Sequence, residues 1–213
     1  MTDIIRWFDV MLSLTGLIIL LPVLLLVALV VKITSKGAVF YKQSRVGKDG
    51  IDFKVYKFRS MFLNADKKGL LTVGGKDNRV TGAGFYLRKF KLDELPQLIN
   101  VLKGEMSIVG PRPEVRRYVD MYSENQKRAL IVRPGITDYA SIAYRNENEL
   151  LASAINPEDF YINEVLPRKI ELNFKYINNQ DIREYLKIIL QTLAVSVTGN
   201  GVRNKYQNGR VGK

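Results

Sequence analysis

The sequence predicts an α+β chain, mostly helical with one small β-hairpin, led by a single long apolar helix. Three observations carry that prediction. Val10 to Val31, "VMLSLTGLIILLPVLLLVALVV", holds no charge, and as a helix it would be about 30 Å long, the hydrocarbon thickness of a bilayer. Lys48-Asp49-Gly50 lies between alternating apolar residues, which is a hairpin signal. Near the C-terminal end, Ile182, Tyr185, Leu186, Ile189, Leu193 and Val197 recur at helical spacing.

The 213 residues suit one domain plus an appendage, and 46% hydrophobic residues suffice for a core. The 33 basic and 21 acidic residues leave a charge of +12. That surplus suits polyanions: nucleic acid, anionic lipid or a phosphorylated substrate. There is no cysteine, which excludes disulfides, thiolate zinc sites and thiol catalysis. There is no histidine either, so the commonest general base is missing. Any metal should be a hard cation held by oxygen, such as Mg²⁺.

Taken in order, the apolar segment reads as membrane-inserted. It is too long for the core of a signal peptide, and Asp3 and Asp9 spoil the basic start that such a peptide needs. Lys32, Lys36, Lys42, Arg45 and Lys48 follow it, which keeps the rest of the chain in the cytoplasm. Arg6 on the other flank resists crossing. Pro22 sits mid-segment and should kink the helix. The residues alone leave a kinked spanning helix and a hairpin that returns to the same face both open. Ala38–Met61 reads as two strands and Asn64–Gly84 as a mobile loop. Helices are expected over Phe85–Lys91, from Glu94 to about Leu102 with Gly104 as its stop, and over Glu114–Val132, Asp159–Asn178 and Asp181–Val197. The stripe in the last helix fits a core, or a helix resting on a membrane surface. The division is therefore 1–34 membrane helix, 35–198 cytoplasmic domain and 199–213 disordered basic tail.

Asp93 and Glu94 are the chemical question. Leu92-Asp93-Glu94-Leu95-Pro96 has the form of a helix start, with Asp as a cap and its acids paired to Arg88, Lys89 and Lys91. The same geometry also suits phosphoryl chemistry. A carboxylate can attack phosphorus directly and has no proton to lose, so no histidine is required. Adjacent helical residues point about 100° apart, so one acid can attack while the other holds a metal. Pro111-Arg112-Pro113 fixes the backbone around one Arg, whose planar fork fits phosphate. It could equally be a rigid turn.

"KFRSM" (Lys57–Met61), "LDELPQLINVLKGEMSIVGPRPE" (Leu92–Glu114) and "VRPGIT" (Val132–Thr137) resemble the bacterial sugar transferase family, small monotopic polyprenol-phosphate phosphoglycosyl transferases. The resemblance runs from about Phe8 to about Thr192. It implies transfer of a phosphosugar from a UDP-sugar to undecaprenyl phosphate, releasing UMP and a lipid-diphospho-sugar, at the start of surface polysaccharide or glycoconjugate synthesis. It implies Asp93 as the nucleophile and Glu94 as the Mg²⁺ ligand, with Asp93 as a second candidate ligand. It assigns Lys57, Arg59, Arg112 and Arg145 to the phosphates and nucleotide sugar, and Arg88, near the two acids, is a further candidate. It also implies a re-entrant N-terminal helix broken at Pro22, amphipathic helices near an anionic membrane surface, and a catalytic domain on the cytoplasmic face of the bacterial inner membrane. No nucleic-acid partner is expected, and a homodimer is left open.

The sequence departs from the family pattern in places. "ITDYAS" (Ile136–Ser141) stands where the family often reads "ITGWAQ". Asn173 aligns with a common Asp, and Tyr185 with another. Two other functions remain to be separated from the transferase. One is an anchored binder of nucleic acid or anionic lipid. The other is a glycosyl transferase that releases UDP.

Overall fold

A computed structural model describes residues 2–65, 69, 71–74 and 77–198. The expected tail from Gly199 lies outside the described residues, as does part of the Asn64–Gly84 loop. Helix α1, Thr2–Thr34, is helical over 33 residues with Pro22 inside it, so the expected break at Pro22 does not interrupt the helix. A proline removes one donor and bends a helix. Flanked on both sides by Leu, Ile, Val and Ala, it does not end this one.

Both ends of α1 dock on the rest of the chain. Ile5, Asp9, Ser13, Val27 and Val31 are buried along it. Ile5 joins a core with Val109, Ile142, Tyr185 and Ile188, while Val27 and Val31 pack on Phe58 and Leu87. Arg6 donates to the carbonyls of Val101 and Leu102 at 2.6 and 3.0 Å. Asp9 accepts from Ser107 Oγ, the Ile108 N–H and the Tyr185 hydroxyl. Between these anchors, Ile18, Ile19, Leu21, Leu25 and Leu26 are exposed.

Strands β1 (Phe40–Val46) and β2 (Asp52–Phe58) form the expected antiparallel hairpin, with Tyr41 opposite Lys57 and Gln43 opposite Val55. Its turn places Asp49 at φ 56° and Gly50 at φ 76°, the left-handed region that Asp and Gly tolerate best. The outer edge of β2 would otherwise leave bare backbone groups. Asn100, fully buried, takes the Tyr56 N–H at 2.9 Å and donates to the Lys54 carbonyl at 2.8 Å.

Helix α2 (Gly82–Lys89) is capped by Thr81, whose hydroxyl takes the Gly84 N–H. Helix α3 (Gln97–Lys103) ends at Gly104 with φ 83°, as its sequence predicted. The short strands β3 (Ser107–Val109) and β4 (Gly135–Thr137), a parallel pair, were not foreseen. A Cβ on Gly135 would lie 2.1 Å from the Gly110 nitrogen, and one on Gly110 would lie 2.5 Å from the Arg133 carbonyl. The two proline-flanked glycines thus press two backbones together, and no side chain fits between them.

The helix expected over Glu114–Val132 is divided. It becomes α4 (Arg116–Val119), α5 (Glu124–Lys127) and a 3₁₀ turn over Arg128–Ile131. The reason is Ser123, which with Gln126 makes a capping box and starts a new helix. Short helices α6 (Tyr139–Ala143), α7 (Glu147–Ala152) and α8 (Pro157–Phe160) lead through a π turn at Tyr161–Val165 into α9 (Leu166–Ile177), and α10 (Ile182–Thr198) follows. Of the predicted stripe on α10, Tyr185 is buried and Ile182 and Ile189 pack on the core, while Leu186 and Leu193 are exposed. Ile188 and Val195, off that stripe, are also buried, and Leu190 is exposed.

Candidate active site

A cavity of about 770 Å³ opens between the β1–β2 hairpin, the start of α3 and the loops after β3 and β4. Alternation along β1 turns Tyr41, Gln43 and Arg45 into it, and Lys57 joins them from β2. Nine Lys and Arg line it against four Asp and Glu among the described residues. Such a balance suits a polyanionic ligand.

Asp93 and Glu94 lie in this cavity, but not as a capped helix start. Lys91 takes φ 58°, and Leu92–Glu94 then forms a 3₁₀ turn. The residue that leads into α3 is Pro96, with no side-chain cap. The left-handed Lys91 turns the chain sharply after α2, so Asp93 faces inward instead of capping. The expected partners Arg88, Lys89 and Lys91 do not pair with the two acids.

Glu94 is held by two other cations. Lys57 Nζ donates to its Oε1 at 3.0 Å. The Arg112 fork takes both oxygens, with Nη1 on Oε2 at 3.1 Å and Nη2 on Oε1. Burial alone would raise the Glu94 carboxyl. Arg112 and Lys57 outweigh it and hold the group well below the ordinary carboxylate range. Burial likewise lowers Lys57 to about 8, against the pull of Glu94.

Asp93 is in the opposite state. It is 5% exposed, and its Oδ1 has no hydrogen-bond partner. Burial, and then the neighbouring Glu94, raise its carboxyl above the ordinary value. Two adjacent acids thus have their proton affinities driven apart. One is locked as an ion by a fork, and the other lines a basic cavity with one oxygen buried and unpartnered. That division is the usual mark of two groups with different chemical roles.

The remaining expected residues are placed as follows. Arg88 lines the cavity and donates to Thr72 Oγ1 at 2.8 Å. Arg145 lines it from the loop between α6 and α7 and makes no ion pair with a described residue. Arg59 also lines the cavity, but its guanidinium is already bonded to backbone. It is 6% exposed, and its terminal nitrogens go to the carbonyls of Val31, Ser35 and Ala38 and to Ser35 Oγ. It closes the C-terminal end of α1, where unpaired carbonyls and the helix dipole favour a cation.

Further lining residues were missed. Glu114 accepts from Arg45 at 3.1 Å and from the Tyr161 hydroxyl. Burial works to raise it, but Arg45, Lys169 and Tyr161 keep it low. Its position directly after Pro113 was the available signal. Lys169 reaches Glu147 at 2.7 Å from a helix whose pattern gave no hint of it.

The family model described as bacterial sugar transferase matches residues 2–199. The chain belongs to the bacterial sugar transferase family. Family relatives with curated names include a UDP-N-acetylgalactosamine-undecaprenyl-phosphate N-acetylgalactosaminephosphotransferase of Aeromonas hydrophila, 37% identical over 93% of this chain and 44% of that protein. A UDP-glucose:undecaprenyl-phosphate glucose-1-phosphate transferase of Escherichia coli K12 is 37% identical over 87% of this chain and 38% of that protein. The uncharacterized sugar transferase EpsL of Bacillus subtilis is 37% identical, over 93% of this chain and 89% of that protein. The chain thus spans roughly two fifths of the length of the first two relatives.

Proposed function

We propose that this family member transfers a sugar 1-phosphate from a UDP-sugar to undecaprenyl phosphate, through a covalent intermediate on Asp93, with UMP as the leaving group. The observation that carries the reading is the buried, unpartnered Asp93 oxygen beside a Glu94 locked by Lys57 and Arg112. An Asp93 oxygen attacks the phosphorus that bears the sugar. The bond from that phosphorus to the bridging oxygen breaks, and its electrons leave with UMP. A phosphate oxygen of undecaprenyl phosphate then attacks the same phosphorus and releases Asp93. Neither step needs a proton from the protein, which fits a site without histidine. Attack by one anion on another is unfavourable unless nearby cations neutralise the charge. Lys57, Arg88, Arg112 and Arg145 line the cavity for that purpose.

The donor set also fits Mg²⁺. Among the described residues, no three acids gather into a metal cage. Mg²⁺, however, usually binds through one or two carboxylates plus substrate phosphates. Glu94 and one oxygen of Asp93 would hold it, leaving the other Asp93 oxygen to attack. Such an ion would supply charge neutralisation on the diphosphate.

The leaving group tests the function. Membranes containing the chain, given undecaprenyl phosphate and a panel of UDP-sugars, should release UMP with one or more donors. UDP as the product would establish direct attack at the sugar instead. No nucleotide from any donor would leave an anchored binder.

The reading also places α1 in the membrane as a bent, re-entrant segment, with the catalytic domain at the cytoplasmic face. What supports this is that Arg6 and Asp9 at one end, and Val31 and Ser35 at the other, bond to the same domain, while the apolar middle is exposed. A phosphate at headgroup level can then meet a soluble donor. The chain has no cysteine, so single labels are unambiguous. Asp3→Cys and Lys36→Cys should both resist a membrane-impermeant thiol reagent in intact spheroplasts and react after lysis. Reaction of Asp3→Cys alone before lysis would mean a spanning helix.

A further inference from the structure

We propose that Asp138 and Asn173 are positioning residues that hold the Arg112 fork on Glu94. The inference rests on the reading of Arg112 as part of the phosphate-binding machinery. Arg112 lies between two prolines, which have no N–H, so its own N–H is the sole main-chain donor of that tripeptide. Asp138 Oδ2 takes it at 2.9 Å. The same oxygen takes Asn173 Nδ2 at 2.8 Å, and the other oxygen caps α6 through the Ser141 N–H. One carboxylate therefore ties the Pro111–Pro113 loop, α6 and α9 together.

Both side chains are buried, at 2% and 6% exposure, and the Asn173 Oδ1 has no partner. Behind the loop lies a small cavity of about 40 Å³, lined by Pro111, Arg112, Pro113, Asp138 and Asn173 among others. On that side, hydrogen bonds rather than packing fix where Arg112 sits. The two positions are also ones where the sequence departs from the family pattern, and the two departing side chains are bonded to each other. The carboxylate is accessible to three donors at once, a load that an amide with one oxygen cannot carry.

Asp138→Asn separates this role from capping. The amide oxygen can still take Ser141, and Asn173 can turn its unpartnered Oδ1 to the new NH₂, but that NH₂ meets the Arg112 N–H donor against donor. Loss of a hydrogen bond to a charged group predicts a fall in kcat/KM for the UDP-sugar of about tenfold to a hundredfold. In an Arg112→Ala background the same change should have almost no further effect, because nothing remains to be positioned. Asn173→Ala should show the same dependence with a smaller loss, and it serves for the cycle if Asp138→Asn does not fold. Equal losses in both backgrounds would overturn the proposal. If the wild type releases no UMP, the transferase reading fails separately. The Arg112→Ala/Glu94→Gln coupling on thermal unfolding in detergent is then compared with and without Asp138→Asn, where a smaller coupling in the variant supports the positioning and an unchanged one overturns it.

Discussion

Asp93→Asn should abolish sugar-phosphate transfer while leaving the protein at least as stable as the wild type. The substitution keeps shape and removes the proposed nucleophile. Loss of the attacking group should lower turnover by about a thousandfold or more, as removal of catalytic nucleophiles does in other enzymes. With donor alone, the wild type should gain the mass of a phosphosugar on Asp93, and the variant should gain none. Donor affinity should not fall, because one negative charge near the diphosphate has gone. Stability should follow from the same burial. Asp93 is 5% exposed, with an unpartnered oxygen and a carboxyl raised by desolvation and by Glu94. A neutral amide there relieves like-charge repulsion, so the melting temperature should hold or rise. Strain held at a working site is often released this way. The raised carboxyl also fixes a pH trend. Attack needs the ionised acid, so the acid limb of kcat/KM should lie above 3.8, the ordinary Asp value. A variant with wild-type turnover would remove Asp93 from the mechanism.

Local signals located much of this molecule. The hairpin was readable because Asp49-Gly50 can take positive φ and its flanks alternate. The stop of α3 was readable because Gly104 tolerates φ 83°. What local signals could not carry was the direction of side chains set by distant contacts. Asp93 has the chemistry of a cap, yet the left-handed Lys91 turns it inward. Arg59 has the chemistry of a phosphate ligand, yet it meets the bare carbonyls at the end of α1, 24 to 28 residues away. The β3–β4 pair was illegible because three residues carry no periodicity. Its cause is the backbone contact of Gly110 with Gly135, and such contacts are made in space. The motif residues were found from resemblance. Glu114, Lys169 and Asp138 needed coordinates, since each acts through partners far along the chain.

Glu94→Gln should fail in a way that Asp93→Asn does not. Glu94 is the counter-ion of Lys57 and Arg112 together, and its side chain is only 12% exposed. Removing one member of a buried ion pair leaves the others uncompensated, at a cost of about 3 kcal/mol. The melting temperature should therefore drop, opposite in sign to the change at Asp93. Lys57, already lowered to about 8 by burial, would shed its proton more readily once its carboxylate partner is gone. The site would then lose a positive charge as well as a negative one. Turnover should fall by about a hundredfold or more, since both the partner of the Arg112 fork and the proposed metal ligand are lost. Two titrations separate those losses. EDTA should silence the wild type, and added Mg²⁺ should restore it. In Glu94→Gln, half-restoration should require far more Mg²⁺, whereas Arg112→Lys, which keeps the carboxylate, should lose rate with little change in that requirement. An unchanged Mg²⁺ requirement in Glu94→Gln would confine Glu94 to holding Arg112 and Lys57. Full activity in EDTA would take the metal out of the account altogether. Either way, two adjacent carboxylates would differ in the sign of their effect on stability, because one is satisfied by a fork and the other is buried with an unpartnered oxygen.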